Sequence, residues 1–176
     1  MADSLIPTSP GFETPLEMLE ACHERLQAQL ATLARLAAWL PEHGPDRQAQ
    51  QAATNVMRYF DVAAVKHHQD EEDDLFPVLR ERVDEARRGE LGTLIDWILA
   101  DHQRLFAGWA QMRARLECIA RGESADLTPA AVEEFAGAYR RHIAREEGEL
   151  LPVARSVLGA QDIEVLSGTM TARRRQ

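Results

Sequence analysis

One stretch of the chain repeats another at a constant offset of 75 residues. Phe60, Ala63, His67, Glu71, Glu72, Leu75, Pro77, Val78 and Arg80 are matched in turn by Phe135, Ala138, His142, Glu146, Glu147, Leu150, Pro152, Val153 and Arg155, nine identities in 21 positions. A shorter match pairs His23-Glu24-Arg25-Leu26 with His102-Gln103-Arg104-Leu105. The chain therefore runs short motif, long motif, short motif, long motif. That order specifies two related halves, and the spacing within each motif makes every half a pair of helices.

The period is helical almost throughout. Leu16, Leu19, His23, Leu26, Leu30, Leu33, Ala37 and Leu40 alternate steps of three and four, the seam of a bundle helix. Leu91, Ile95, Ile98, His102, Leu105, Trp109, Met112, Leu116 and Ile119 form a second such seam, and no segment shows strand alternation. Thr14-Pro15-Leu16-Glu17 and Thr128-Pro129 read as helix starts, and the segments from Pro41 to Pro45 and from Arg121 to Ser124 read as loops. A second helix is predicted from Asp46 to about Arg88, bent at Pro77. A break follows at Gly89 to Gly92, and a third helix starts near Thr93. The fourth runs from Thr128 toward Pro152, and a short fifth covers Gln161 to Met170. The expected architecture is all-α: an up-down-up-down four-helix bundle over residues 14–158, after a flexible segment 1–13 and before a short helix and tail at 159–176.

Composition narrows the function. Asp and Glu number 29 against 20 for Lys and Arg, a net charge of −9, and no large basic face suits a nucleic acid. No apolar run approaches the roughly 18 residues of a membrane span. Residues 1–12 are polar and lack the apolar core of a secretory signal. Two cysteines without a Cys-x-x-Cys motif fit a reducing cytosol. A cytoplasmic protein without nucleic-acid or membrane partners is expected.

Chemistry concentrates in the seams. His23 and His102 occupy apolar seam positions, while His67/Glu71 and His142/Glu146 are pairs four residues apart that share a helix face. Glu71 lies midway between His67 and Leu75, and Glu146 midway between His142 and Leu150, so both carboxylates point inward. A buried carboxylate needs compensating charge, and no Lys or Arg falls on these stripes at that level. A metal pair is the simplest compensation. The motif has no thiolate, which disfavours a structural zinc site, and it is not all oxygen, which disfavours calcium and magnesium. Imidazole with carboxylate suits Fe, Mn or Zn. His68 is turned about 100° from His67 on a regular helix and reads as lying beside the site or on the surface. Glu72 and Glu147 read as a solvated face or as carboxylates orienting a histidine, and Tyr139 as a core aromatic or a donor to the site. The alternatives are a metal-free, Zn-loaded or Mn-loaded bundle serving as an interaction module, and a hydrolytic or redox enzyme on Mn or Zn.

A histidine on helix one, His-His-x-x-Glu-Glu-x-x-Leu-Phe-Pro from His67 to Pro77, a histidine on helix three and His-x-x-x-Glu-Glu on helix four together resemble the hemerythrin-like HHE cation-binding domain. The resemblance extends from Leu16 to Pro152. It implies a non-haem, carboxylate-bridged di-iron centre, with His23 and His67 on one iron, His102 and His142 on the other, and Glu71 and Glu146 bridging. One departure stands out. Oxygen-carrying hemerythrins place two histidines four residues apart on helix three, whereas this chain has Ile98 and Phe106 one turn either side of His102. Two equally unsaturated irons favour reaction over reversible carriage. The expectation is a protein that binds, senses or reduces a small ligand such as O2, nitric oxide or peroxide, or that handles iron.

Overall fold

A computed structural model describes residues 14–175, so the segment 1–13 lies outside the described residues. Five helices follow one another: α1 (Pro15–His43), α2 (residues 47–82), α3 (Glu85–Ala120), α4 (residues 129–157) and α5 (Ala160–Arg175). Short connections force sequential helices to run antiparallel. α1 packs against α2 and α4, and α3 packs against the same two, which closes the up-down-up-down bundle. No strand occurs among the described residues.

Two of the long helices are not uniform. α2 carries π-helical turns at Tyr59–Ala64 and Asp70–Leu75, and α4 carries one at Glu146–Leu150. Pro77 and Pro152 sit in the first turn of the α-helical segment after a π turn. Proline lacks an N–H and its ring collides with the carbonyl four residues back. The widened turn just upstream absorbs that mismatch, where the sequence alone predicts a bend. Gly89 and Gly92 do not break the chain. α2 ends at Arg82, and Asp84 caps α3 by accepting the Arg87 N–H at 3.0 Å, so both glycines fall inside α3. Each costs about 1 kcal/mol relative to alanine. Burial of Leu91, Leu94 and Ile95 on the same turns outweighs that. α1 likewise continues through Pro41 to His43 and stops at Gly44, whose φ of 62° is one that glycine adopts without strain.

The core comes in two parts. Leu26, Leu33, Phe60, Met112, Leu116 and Tyr139 belong to one apolar cluster. Leu19, Leu75, Leu79, Ile95, Ile98 and Leu150 belong to the other. Between them every long helix contributes buried polar residues, described below.

α5 is longer than predicted and stays helical through Arg175. It lies against α1 and the Asp70–Leu75 turn, with Leu166 and Met170 in the second cluster. Arg82 grips Asp162 through Nε and Nη2 at 2.9 to 3.1 Å. Arg173 and Arg174 converge on Asp70, which is 0% exposed; Arg174 Nη2 lies 2.5 Å from Asp70 Oδ2, and Arg173 also reaches Asp74 at 2.6 Å. Lys66 Nζ donates to the Arg173 carbonyl at 2.9 Å. A buried carboxylate stripped of its partners is costly, so replacing both Arg173 and Arg174 by alanine should destabilise the fold by about 2–3 kcal/mol. That lies below the range for a fully buried pair because water reaches the guanidiniums. Thermal melts followed by circular dichroism measure it; a double variant that melts with the natural protein would show that Asp70 does not depend on α5.

Candidate metal centre

α1 presents His23 between Leu19 and Leu26, and α3 presents His102 between Ile98 and Leu105, both one seam step from apolar residues that are buried above and below. α2 supplies His67 and Glu71; α4 supplies His142 and Glu146. The structure brings all six into one layer, each at most 3% exposed.

The two carboxylates lie across the layer with their oxygens divided. Glu146 Oε2 is 3.1 Å from His23 Nε2, and its Oε1 is 2.9 Å from His142 Nε2 and 3.6 Å from His102 Nε2. Glu71 Oε1 is 3.6 Å from His67 Nε2, and its Oε2 is 3.5 Å from His102 Nε2. His23 Nε2 and His67 Nε2 stand 3.1 Å apart. Two nitrogens at right angles on one ion, with bonds of about 2.1 Å, stand about 3 Å apart. None of the four carboxylate oxygens makes a hydrogen bond of normal geometry. Among the described residues eleven buried side-chain nitrogen and oxygen atoms lack a hydrogen-bond partner, and all but Arg145 Nε belong to this layer. An orphaned buried polar atom costs about 1–3 kcal/mol, so such a concentration calls for a common partner, and a cation accepting from nitrogen and oxygen alike fits it.

Outer carboxylates hold the rings. His23 Nδ1 meets Glu147 Oε1 at 2.9 Å and His102 Nδ1 meets Glu72 Oε1 at 2.6 Å, while His142 Nδ1 lies 3.2 Å from Asp101 Oδ2 without the geometry of a hydrogen bond. Each of these rings thus turns Nδ1 outward to a carboxylate and Nε2 inward, the arrangement that aims a metal-binding imidazole. Glu72 and Glu147 are repeat partners, and each serves a histidine of the other hairpin. Tyr139 packs its ring against Phe60 and Phe135 as a core aromatic.

Burial, and then the neighbouring His23, push the His67 imidazole well below its ordinary range; burial and then His102 do the same for His68. Both stay neutral, the form that donates to a metal. Burial opposes a charge on His23, but Glu146 and Glu147 outweigh it and raise its value. Burial and the facing Glu146 raise Glu71 well above the usual carboxylate range. Burial also acts to raise Glu146, yet His142, His102 and His23 together hold it well below that range.

Of the two placements its register suggests, His68 takes the one beside the site and not the one on the surface. It is 2% exposed, and its ring lies against that of His102 with centroids 3.9 Å apart and planes 18° apart. A π turn adds about one residue to a helical turn and slips the register by about 100°. The turns at Tyr59–Ala64 and Asp70–Leu75 flank the two histidines, and the repeat pair His142 and Ile143 is likewise buried on consecutive residues of α4. A signal was present in the sequence: the stripe Phe60, Ala64 reaches His68 at its next step of four, and the repeat partner of His68 is the apolar Ile143. The potential ligand atoms fall into two groups, each within 4.8 Å of one another: His23, His67, Glu71 and Glu146 in one, His68, His102 and His142 in the other.

The sequence model of the hemerythrin HHE cation binding domain matches residues 14–154. The chain belongs to the hemerythrin HHE cation-binding family. It is also 32% identical over 163 residues to an uncharacterized protein of Haemophilus influenzae, covering 93% of this chain and 91% of that relative. Membership makes this a metal-binding domain of an iron-binding kind, with histidine and glutamate clusters that suit a metal. No helix among the described residues is long and apolar enough to cross a membrane. The outer carboxylates of this hemerythrin-like layer give a direct test. Glu72→Gln and Glu147→Gln should each weaken metal binding about 10–100-fold. Chelator competition reads this; His43→Ala, an exposed ring stacked on Trp39, is the unaffected control. Equal affinities in all three would mean that the carboxylates do not orient the rings.

Proposed function

We propose that the protein holds two iron ions, one on His23 and His67 and the other on His102 and His142, bridged by Glu71 and Glu146, and that this centre binds, senses or reduces a small ligand such as O2, nitric oxide or peroxide. The observation that carries the reading is the division of each glutamate's oxygens between the two histidine pairs. A carboxylate serving one ion, or serving as a core hydrogen-bond acceptor, has no reason to face both ways. Iron is preferred to manganese or zinc on the family, since the donor set accepts all three. Bound iron would supply an open coordination position and a change of redox state.

The chain's own part is to hold and to exclude. Apolar clusters above and below the layer keep bulk water from it. One surface groove of about 460 Å³ between α1 and α4 is lined by Leu30, Val132 and Ala136 beside the first cluster, away from the histidines. A diatomic or a peroxide passes through side-chain fluctuations that a larger substrate cannot use. Cys22 and Cys118 are unpaired, which fits a cytoplasmic setting.

Iron analysis of protein reconstituted anaerobically should find two irons per chain, and nitric oxide should perturb the optical spectrum of the reduced form. Glu71→Ala and Glu146→Ala should each lose the pair. The metal-free Glu71→Ala protein should be no less stable than its parent, because a buried carboxylate with unpartnered oxygens has gone. One iron or none in the natural protein, with both variants unchanged, would sink the dinuclear reading. Acid gives an independent check. His67 and His68 have depressed values, so their contribution is complete above the ordinary imidazole range near 6.5 and is lost as pH falls below it. The raised His23 acts with the opposite sign, but metal binding needs every ring deprotonated. Iron release and melting temperature should therefore both worsen as pH falls below about 6.5. A melting curve indifferent to pH between 7 and 5 would place the titrating rings outside the site.

A further inference from the structure

We propose that His68 is a fifth imidazole ligand, joining His102 and His142 on one ion while His23 and His67 serve the other; this deepens the dinuclear reading and rests on it. Three observations converge. The candidate ligand atoms of His68, His102 and His142 lie within 4.8 Å of one another. Both ring nitrogens of His68 are buried without a hydrogen-bond partner, although a neutral imidazole carries one donor and one acceptor. Its ring also lies flat against His102, with centroids 3.9 Å apart, and 6.0 Å from that of His142.

The repeat weighs against a packing role. Position 143, which corresponds to 68 in the other half, holds an isoleucine that is 2% exposed. An apolar side chain therefore fills this place in the fold. A histidine there brings two polar atoms that gain nothing from the Phe106 ring beside it. One turn before His102, where a further ligand would come from α3, Ile98 is 0% exposed and belongs to the second apolar cluster. α2 supplies from the neighbouring helix what α3 omits. The His67 and His68 rings, 5.8 Å apart, then face different ions. The ions are unequally provided, three imidazoles against two, so the open position for a small ligand belongs to the one on His23 and His67.

X-ray absorption of the iron-loaded protein counts imidazoles directly. The natural protein should show five over two irons, and His68→Ile, which copies the residue of the other half, should show four. The variant should still take up iron, and chelator should extract one of its two irons at least about tenfold faster than from the natural protein. Four imidazoles in the natural protein, or a variant with unchanged count and release, overturns the proposal while two bound irons leave the dinuclear reading standing. Fewer than two irons in the natural protein removes both. Should His68→Ile not fold, the count on the natural protein alone decides.

Discussion

Two carboxylates and five imidazoles share a buried layer in which, among the described residues, the ion-pair partners of Glu71 and Glu146 are histidines. Everything else in the bundle accommodates that layer. It divides what would be one apolar core into two clusters, so neither half of the bundle is continuous with the other except through polar side chains. It sits where the helices are least regular, because Glu71 and Glu146 both lie in π turns. Those turns give up ideal hydrogen bonding in return for side-chain direction, which is the general association of π turns with functional sites. The apolar clusters must supply the stability that the layer consumes.

The two hairpins hold the layer by the same device in one respect and by different devices in another. Glu72 of α2 reaches His102 of α3, and Glu147 of α4 reaches His23 of α1, so each hairpin orients a ring of the other. The residue just before each inner glutamate differs. On α2 it is Asp70, wholly buried and clamped by Arg173 and Arg174 of α5. On α4 it is Arg145, which lies over the Trp97 ring at 4.3 Å and pairs with Glu149 at 3.1 Å. A charge of either sign thus lies beside the turn that carries Glu71 or Glu146, and α5 supplies the partners of one of the two. Arg173 and Arg174 are thus the counter-charge of a buried aspartate.

The bundle and its family could be read from seam periodicity and from the 75-residue repeat, because both depend only on which face of a regular helix is apolar. The inward position of His23, His67, Glu71, His102, His142 and Glu146 followed from the same rule. Where the rule fails, the helix is not regular. His68 looks rotated off the seam only if every residue advances by about 100°, and a π turn breaks that assumption without leaving a mark in composition. Asp70 lay hidden in the acidic run from Asp70 to Asp74, because its arginine partners are more than a hundred residues away. Gly89 and Gly92 misled in the opposite direction: an exposed glycine weakens a helix locally, and the apolar face of α3 is long enough to overrule it.

Ile98 and His68 together bear on how a metal site is read from a helix pattern. A histidine missing from one helix is a statement about that helix, whereas an ion samples the cross-section of the bundle. At the level of this layer the cross-section contains a ring from α2 stacked on the ring from α3, and the isoleucine at 98 packs in the apolar cluster instead. The halves of the molecule, built from one repeated motif, are therefore unequal at the one position where inequality has chemical consequences: histidine at 68, isoleucine at 143. With both glutamates facing both sets of rings, that single difference would, in the proposed centre, separate a better-ligated ion from a more open one. The backbone differs at the same place, since α2 carries a π turn at Tyr59–Ala64 that has no counterpart on α4.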